Sequence, residues 1–449
     1  MAILPLPLPL MSLFFFLLLL SSTCIATTTT CTTPADHGST LHIIHAFGPC
    51  SPLHPTSPFP SWASFLTSQN DRDASRLQFL SSLATAGGGH RSFVPIAPGR
   101  QLLQIPNYVV RARVGSPPQS FLAALDTSND AAWFPCSSCV GCSSASASFS
   151  PSLSSTFRQI PCGSPQCSQV PNPSCQISSC AFNLTYGSSS VQAVLSQDSL
   201  SLASDVINTY AFGCLQKVTG SSIPPQGLLG LGRGPLSFLS QTKNMYASTF
   251  SYCLPSFKSL NFSGTLRLGP KGQPLRIKTT PLLFNPRRSS FYYVNMTGIR
   301  VGRRVVPIPA SALAFDTATG AGTIVDSGTM FTRLVAPAYT AMRDEFRRRV
   351  AAPLAPPLGG FDTCYNVSVA VPTVTFMFAG PMEVTLPEEN VVIHSTAGGI
   401  TCLAMAAAAP EGVNSVLNVI ANMQQQNHRV LFDVPNARIG FSRERCTAA

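Results

Sequence analysis

Two apolar runs of the chain end in the same way. FLAALDTSND over 121–130 and GTIVDSGT over 322–329 each deliver an Asp followed by a hydroxyl residue, Asp126-Thr127 and Asp326-Ser327. The runs are too short for helices and rich in Leu, Ile or Val, which predicts buried strands. An ionised carboxylate at the end of such a strand is costly to desolvate. One Asp of this kind reads as a strand-end cap, but two in like contexts point to a shared site. Each run also has an apolar counterpart further on, GLLGLG over 227–232 and VIAN over 419–422. Both counterparts set two large apolar residues beside a small one. The pattern is that of a duplicated, two-lobed chain with a cleft between the lobes, where ligand sites are common.

The N-terminal pattern differs. Residues 3–20 are almost wholly apolar, and small residues follow up to Ala26. This predicts a signal peptide over 1–26. Pro5, Pro7 and Pro9 interrupt the run and argue against a membrane anchor. No Arg precedes Arg72, so a transit peptide fits poorly. Between Ser61 and Leu83, the spacing of Phe65, Leu66, Leu77, Leu80 and Leu83 predicts an amphipathic helix, and Gly87-Gly88-Gly89 then breaks the chain. Beyond it Ser, Thr, Pro and Gly are abundant and long helical patterns are few. The fold class that follows is all-β, and 449 residues are enough for two lobes with substantial cores.

Composition narrows the picture. Apolar residues make up 45% and charged residues 10%, which excludes a disordered chain. The net charge is +11, with Arg clusters at Arg287-Arg288, Arg300, Arg303-Arg304 and Arg347-Arg348-Arg349. These are short, separated and without stacking aromatics, so they read as a solvated basic surface rather than a nucleic-acid footprint. Of 15 cysteines, Cys24 falls in the signal, and Cys31 and Cys50 in the segment after it. The remaining even set, Cys136 to Cys446, implies disulfides. Cys136, Cys139 and Cys142 also match metal-ligand spacing, but no His lies near them. Sequons stand at Asn183, Asn261, Asn295 and Asn366.

Further motifs carry a resemblance: NYVVRARVGSPPQ over 107–119, WFPC over 133–136, FGC over 212–214, FSYC over 250–253, DTC over 362–364 and QQQN over 424–427. With the two Asp motifs, the chain resembles pepsin-like aspartic proteases of the plant nepenthesin-like kind. It is most similar to an atypical subgroup with Asp-Thr-Ser-Asn at the first site, some of whose members are described as apoplastic and others as chloroplast nucleoid DNA-binding proteins. The resemblance implies a bilobal fold, with a signal peptide over 1–26, a propeptide over 27–103, a first lobe over 104–278 and a second over 279–449. It implies that Cys364 pairs with Cys402 and that a cysteine-rich insert follows Cys136.

The resemblance also assigns roles. Asp126 and Asp326 would share a proton, because like charges at close range cannot both ionise easily, and would activate a water against a peptide bond. Polypeptides would be the substrates, with no metal, cofactor or membrane anchor, and the chain would be a monomer. Thr127 and Ser327 would bond across the lobes. Ser128, Asn129, Gly328 and Thr329 complete the two loops. Tyr186-Gly187 would form the tip of a flap, with Trp133 as the hydrogen-bonding partner of Tyr186; three Ser follow where another Gly is usual, which puts flap mobility in doubt. Ser128 and Asn129 depart from the usual Gly and Ser, and Ala421 replaces a Gly in the second lobe. If Asn129 turns away from Asp126, the pair's pH window moves upward. Ser128 is expected to crowd the water, so restoring Gly and Ser should raise kcat and lower the optimum. The leading reading is a secreted endopeptidase of the apoplast or vacuole, made as a zymogen. The alternatives are a binding or inhibitor protein on the same scaffold, like plant xylanase inhibitors, and a plastid DNA-binding protease.

Overall fold

The computed structural model describes residues 40–45, 51, 61–85, 107–143, 147–256, 264–394, 399–408 and 416–446. The expected signal peptide, the boundary near residue 103 and the Asn261 sequon lie outside these residues.

The fold is mostly β, in two β-rich lobes. Strands β2 (Tyr108–Val114) and β3 (Gln119–Asp126) form an antiparallel pair, followed by β4 (Trp133–Val140). A hairpin, β5 (Ser179–Tyr186) and β6 (Ser189–Leu202), then runs on into β7 (Asp205–Thr219). The short strand β8 (Leu228–Gly230) lies parallel to β3, setting Leu228 beside Ala124 and Gly230 beside Asp126. The second lobe repeats the arrangement. Strand β9 (Gly322–Val325) lies parallel to β10 (Leu417–Ile420), with Val325 beside Ile420. Parallel strands buried on both faces read as continuous apolar runs, which is why both Asp-bearing segments carry so few polar residues before the Asp.

A third sheet joins the halves. Strands Gly264–Leu268, Thr249–Cys253, His428–Asp433, Arg438–Arg443 and Lys278–Leu283 pair in that order, all antiparallel. Phe250 stacks on Phe432 at 4.5 Å between ring centroids, and the Cys253–Cys446 disulfide closes the same sheet. The N-terminal strand β1 (Thr40–His45) adds to its edge, with Thr40 opposite Arg267 and Ile43 opposite Gly264.

Helix α1 (Trp62–Thr85) covers the predicted span. Its start is fixed by reciprocal bonds between Ser61 and Ser64, each backbone N–H donating to the other's hydroxyl. Phe65 and Leu66 are buried with Met330, Phe331 and Phe361, while Leu77 is buried with Phe291, Tyr293 and Ile324. Burying side chains of this size stabilises by about 1.5–3 kcal/mol each. The helix is therefore docked on the second lobe by its apolar stripe. Among the described residues, no helix is long and apolar enough to cross a membrane.

All cysteines from Cys136 to Cys446 are in disulfides. The pairs are Cys136–Cys214, Cys139–Cys142, Cys162–Cys175, Cys167–Cys180, Cys253–Cys446 and Cys364–Cys402. The metal-like spacing at Cys136, Cys139 and Cys142 is thus taken up by two disulfides. Asn183, Asn295 and Asn366 are exposed.

Candidate active site

Asp126 ends β3 and Asp326 follows β9, and both are fully buried. Each sits in a tight loop that turns its own backbone toward the carboxylate. Ser128 N donates to Asp126 Oδ1 at 2.9 Å, and Gly328 N donates to Asp326 Oδ1 at 2.9 Å. Each loop then supplies a side-chain donor to the outer oxygen. Asn129 Nδ2 reaches Asp126 Oδ2 at 2.8 Å, and Thr329 Oγ1 reaches Asp326 Oδ2 at 2.6 Å. The condition for an upward shift of the pH window, that Asn129 turns away, is not met: its amide spans one more bond than a Ser hydroxyl and still donates to the carboxylate. Ser128 Oγ adds a further donor to Asp126 Oδ1 at 2.9 Å.

The loops are tied to each other. Ser327 N donates to Thr127 Oγ1 at 3.0 Å, and Thr127 N donates to Ser327 Oγ at 3.2 Å. Each hydroxyl also donates to the opposite strand, Thr127 to Val325 O and Ser327 to Leu125 O. Buried polar groups require such partners, and here they lock two half-sites into one. Below the second loop, Ala421 is accommodated with φ −87° and its N–H bonded to Thr332 Oγ1. The first lobe allows no Cβ at Gly230, where it would lie 2.2 Å from Asp130 O.

The central feature was not read from the sequence. Arg76 of α1 reaches between the carboxylates. Its Nη2 donates to Asp126 Oδ1 at 2.6 Å and to Asp326 Oδ1 at 3.2 Å, and its Nε to Asp326 Oδ2 at 3.1 Å. The same Nη2 donates to Ser128 Oγ. The guanidinium packs against the Gly328 backbone, where a Cβ would lie 2.1 Å from Nη2. A side chain there would displace the guanidinium. Burial alone would push Asp326 up, but the Arg76 charge and hydrogen bond, with those of Thr329 and Gly328, hold it below the ordinary carboxylate range. Burial likewise works against the Arg76 charge, and the two carboxylates overcome it, holding Arg76 well above its ordinary value.

A second missed residue anchors the helix. Asp73 accepts from Met330 N at 2.7 Å and Phe331 N at 2.5 Å. Burial raises Asp73 to about 7, against the lowering effects of Arg333, those two N–H groups and Arg76. Asn70 Oδ1 accepts from Arg333 Nη2. The signal was present in the spacing: Leu66, Gln69, Asp73 and Arg76 fall on one helical face, so polar residues occupy a stripe that should be buried. Between α1 and the tip of the β5–β6 hairpin lies a cavity of only about 30 Å³, lined by Arg72, Asp73, Arg76, Tyr186 and Gly328 among others.

The β5–β6 hairpin closes the site from the other side. Gly187, at φ +56°, makes its turn. Tyr186 lies under the Arg76 guanidinium at 5.3 Å, and its hydroxyl donates to Asp126 Oδ2 at 3.0 Å. The expected bond to Trp133 is not formed. The two rings meet edge to face at 5.8 Å, and Trp133 Nε1 has no hydrogen-bond partner among the described residues. The nearby cation and carboxylate draw the Tyr186 hydroxyl toward Asp126 instead. The Ser residues after Gly187 latch the hairpin tip: Ser188 Oγ bonds Ser222 Oγ at 2.6 Å, and Ser222 N donates to Ser189 Oγ at 2.8 Å.

Comparison with known proteins matches this architecture. Residues 108–270 match the family model described as xylanase inhibitor N-terminal, and 291–443 match xylanase inhibitor C-terminal. The chain is similar to aspartyl protease AED3 of Arabidopsis thaliana, 51% identical over 93% of this chain and 94% of that protein. It is also similar to aspartyl protease 25 of Oryza sativa subsp. japonica, at 49% over 88% and 93%. Nepenthesin-1 of Nepenthes gracilis is 32% identical over 84% and 85%. Among solved structures, conglutin gamma from lupine seeds aligns with a TM-score of 0.61 at 20% identity, covering 75% of this chain and 92% of that one. At that identity the likeness speaks for the fold alone. The chain belongs to the plant pepsin-like aspartic proteases of the nepenthesin-like kind.

Proposed function

We propose that the chain is a secreted aspartic endopeptidase made as an inactive precursor. In this reading Asp126 and Asp326 are the catalytic pair, and residues 27–103 are a propeptide whose α1 closes the cleft. The observation that carries the reading is Arg76 set between two buried carboxylates. A cation there neutralises the pair and occupies its centre. Secretion is supported by the apolar run before Ala26 and by a disulfide set suited to an oxidising compartment.

Once α1 leaves, water takes the place of Nη2 between the inner oxygens. The pair holds one proton, since two adjacent carboxylates resist full ionisation. The ionised member takes a proton from the water as its oxygen attacks the peptide carbonyl carbon. The protonated member gives its proton to the carbonyl oxygen. Collapse returns that proton, transfers the other to the leaving nitrogen and breaks the C–N bond. Thr127 and Ser327 hold the loops in register, and Tyr186 closes over the substrate.

A second reading is supported by the family description, which names xylanase inhibitors. There the same cleft would bind without cutting. The complete donor sets around both carboxylates favour the enzyme. Digestion of an unfolded protein by the acid-processed chain across a pH series decides between them. Cleavage that pepstatin stops and Asp326→Ala abolishes is expected. No cleavage at any pH would favour the binding protein.

A further inference from the structure

Arg76 Nη2 marks a point within hydrogen-bonding reach of three oxygens: Asp126 Oδ1, Asp326 Oδ1 and Ser128 Oγ. Resting on the protease reading, we propose that Ser128 is a third ligand of the nucleophilic water and fixes its orientation. A hydroxyl has one proton to donate and two lone pairs. Ser128 Oγ gives its proton to Asp126 Oδ1. It therefore faces the Nη2 point as an acceptor, which is how it receives Nη2–H. A water at that point has two protons and two lone pairs. One proton goes to the ionised carboxylate and the other to Ser128 Oγ. One lone pair accepts from the protonated carboxyl. The remaining lone pair is free and directed at the substrate carbonyl. Without the hydroxyl, the second proton has no acceptor on that side and the water can rotate. Orientation of a reacting group contributes directly to the rate.

The geometry makes this a one-sided device. The matching position in the second loop is Gly328, which has no side chain to offer the water. Ser128 is buried and held by its bond to Asp126, so its oxygen is placed before any water arrives. Such a role is the opposite of the expectation that Ser128 crowds the water, and the kcat of the Ser128 variants distinguishes the two.

The test uses the processed protein and its Ser128→Ala and Ser128→Gly variants. Both should lower kcat about tenfold, the equivalent of one hydrogen bond, with KM unchanged. A kcat equal to or above wild type in both variants would overturn the proposal. A binding measurement separates this from failure of the protease reading. A peptide with a secondary hydroxyl at the scissile position places that oxygen at the water point, while its deoxy analogue does not. The ratio of their affinities, read by calorimetry, should fall about tenfold in Ser128→Ala. An unchanged ratio would overturn the Ser128 assignment even if the enzyme cuts. A changed ratio in a protein that cuts nothing would keep Ser128 as a ligand of an oxygen bound at that point but overturn its role in orienting a nucleophile, together with the protease reading. Binding of neither peptide by the wild type would overturn both.

Discussion

The loops at Asp126 and Asp326 are built alike in backbone and differently in side chain. In each, the N–H two residues on donates to Oδ1 and the side chain three residues on donates to Oδ2. The donors differ, Asn129 in one and Thr329 in the other, yet both end within hydrogen-bonding distance of Oδ2. The position between them is Ser128 in the first loop and Gly328 in the second, and there the loops part. Ser128 and Tyr186 put two further donors on Asp126 alone, while α1 places Arg76 against Gly328 and Asp73 on the backbone after it. The comparison teaches that the pair's symmetry is held by backbone and cross-loop hydroxyls. Side chains then give the hairpin to the first half alone, while the helix reaches both halves through Arg76 and anchors on the second through Asp73.

If the halves form one pair, neutralising either should cost the same. Asp126→Asn and Asp326→Asn in the processed protein are each expected to lower kcat by about a thousandfold or more, within the range for general acid–base groups. A variant retaining even a tenth of wild-type activity would break the comparison.

The helix side should show in the pH dependence of docking. Asp326 is held low while Arg76 is bound. A depressed carboxylate favours the docked state above its undocked pKa, and this contribution is lost as pH falls through the docked value. Acid therefore releases α1. Asp73 has the opposite sign. Raised to about 7 when docked, it favours docking at low pH and loses that contribution as pH rises through about 7. Hydrogen exchange at the Met330 and Phe331 amides, corrected for intrinsic rate, should thus show protection falling on both sides of a maximum between about 7 and the acid limb. Asp73→Asn should remove the neutral limb, keep the acid limb and lower protection about tenfold, as for a lost buried hydrogen bond.

The interchangeable donors offer a finer test. Asn129→Ala and Thr329→Ala each remove one side-chain bond to an outer oxygen. Each should reduce kcat/KM several-fold to about tenfold, by similar factors. A large loss at Thr329 with none at Asn129 would show that the Asn is a passive replacement.

Much of this was legible in the sequence, for physical reasons. The two Asp-bearing strands stand out because parallel strands buried on both faces are continuous apolar runs. Helix α1 shows in the spacing of Phe65, Leu66 and Leu77. What escaped depends on long-range placement. Arg76 meets partners 50 and 250 positions away, and no local pattern records that. The Trp133–Tyr186 contact was readable but its chemistry was not, because the Tyr186 hydroxyl is drawn to Asp126 by a site assembled from three segments. The cysteines show the same limit. Cys175 and Cys180 face each other across a hairpin, yet each bonds outside it, to Cys162 and Cys167.

The central claim is that Arg76 occupies the reaction centre of the full-length chain. The most direct measurement is pepstatin binding to full-length protein at neutral pH, for wild type and Arg76→Met. Losing one partner of a buried ion pair costs about 3–5 kcal/mol, so α1 should hold the cleft roughly 150- to 5,000-fold less firmly in the variant. The account predicts that wild type excludes the inhibitor and that Arg76→Met binds it at least about a hundredfold more tightly. Equal binding by the two proteins would contradict it.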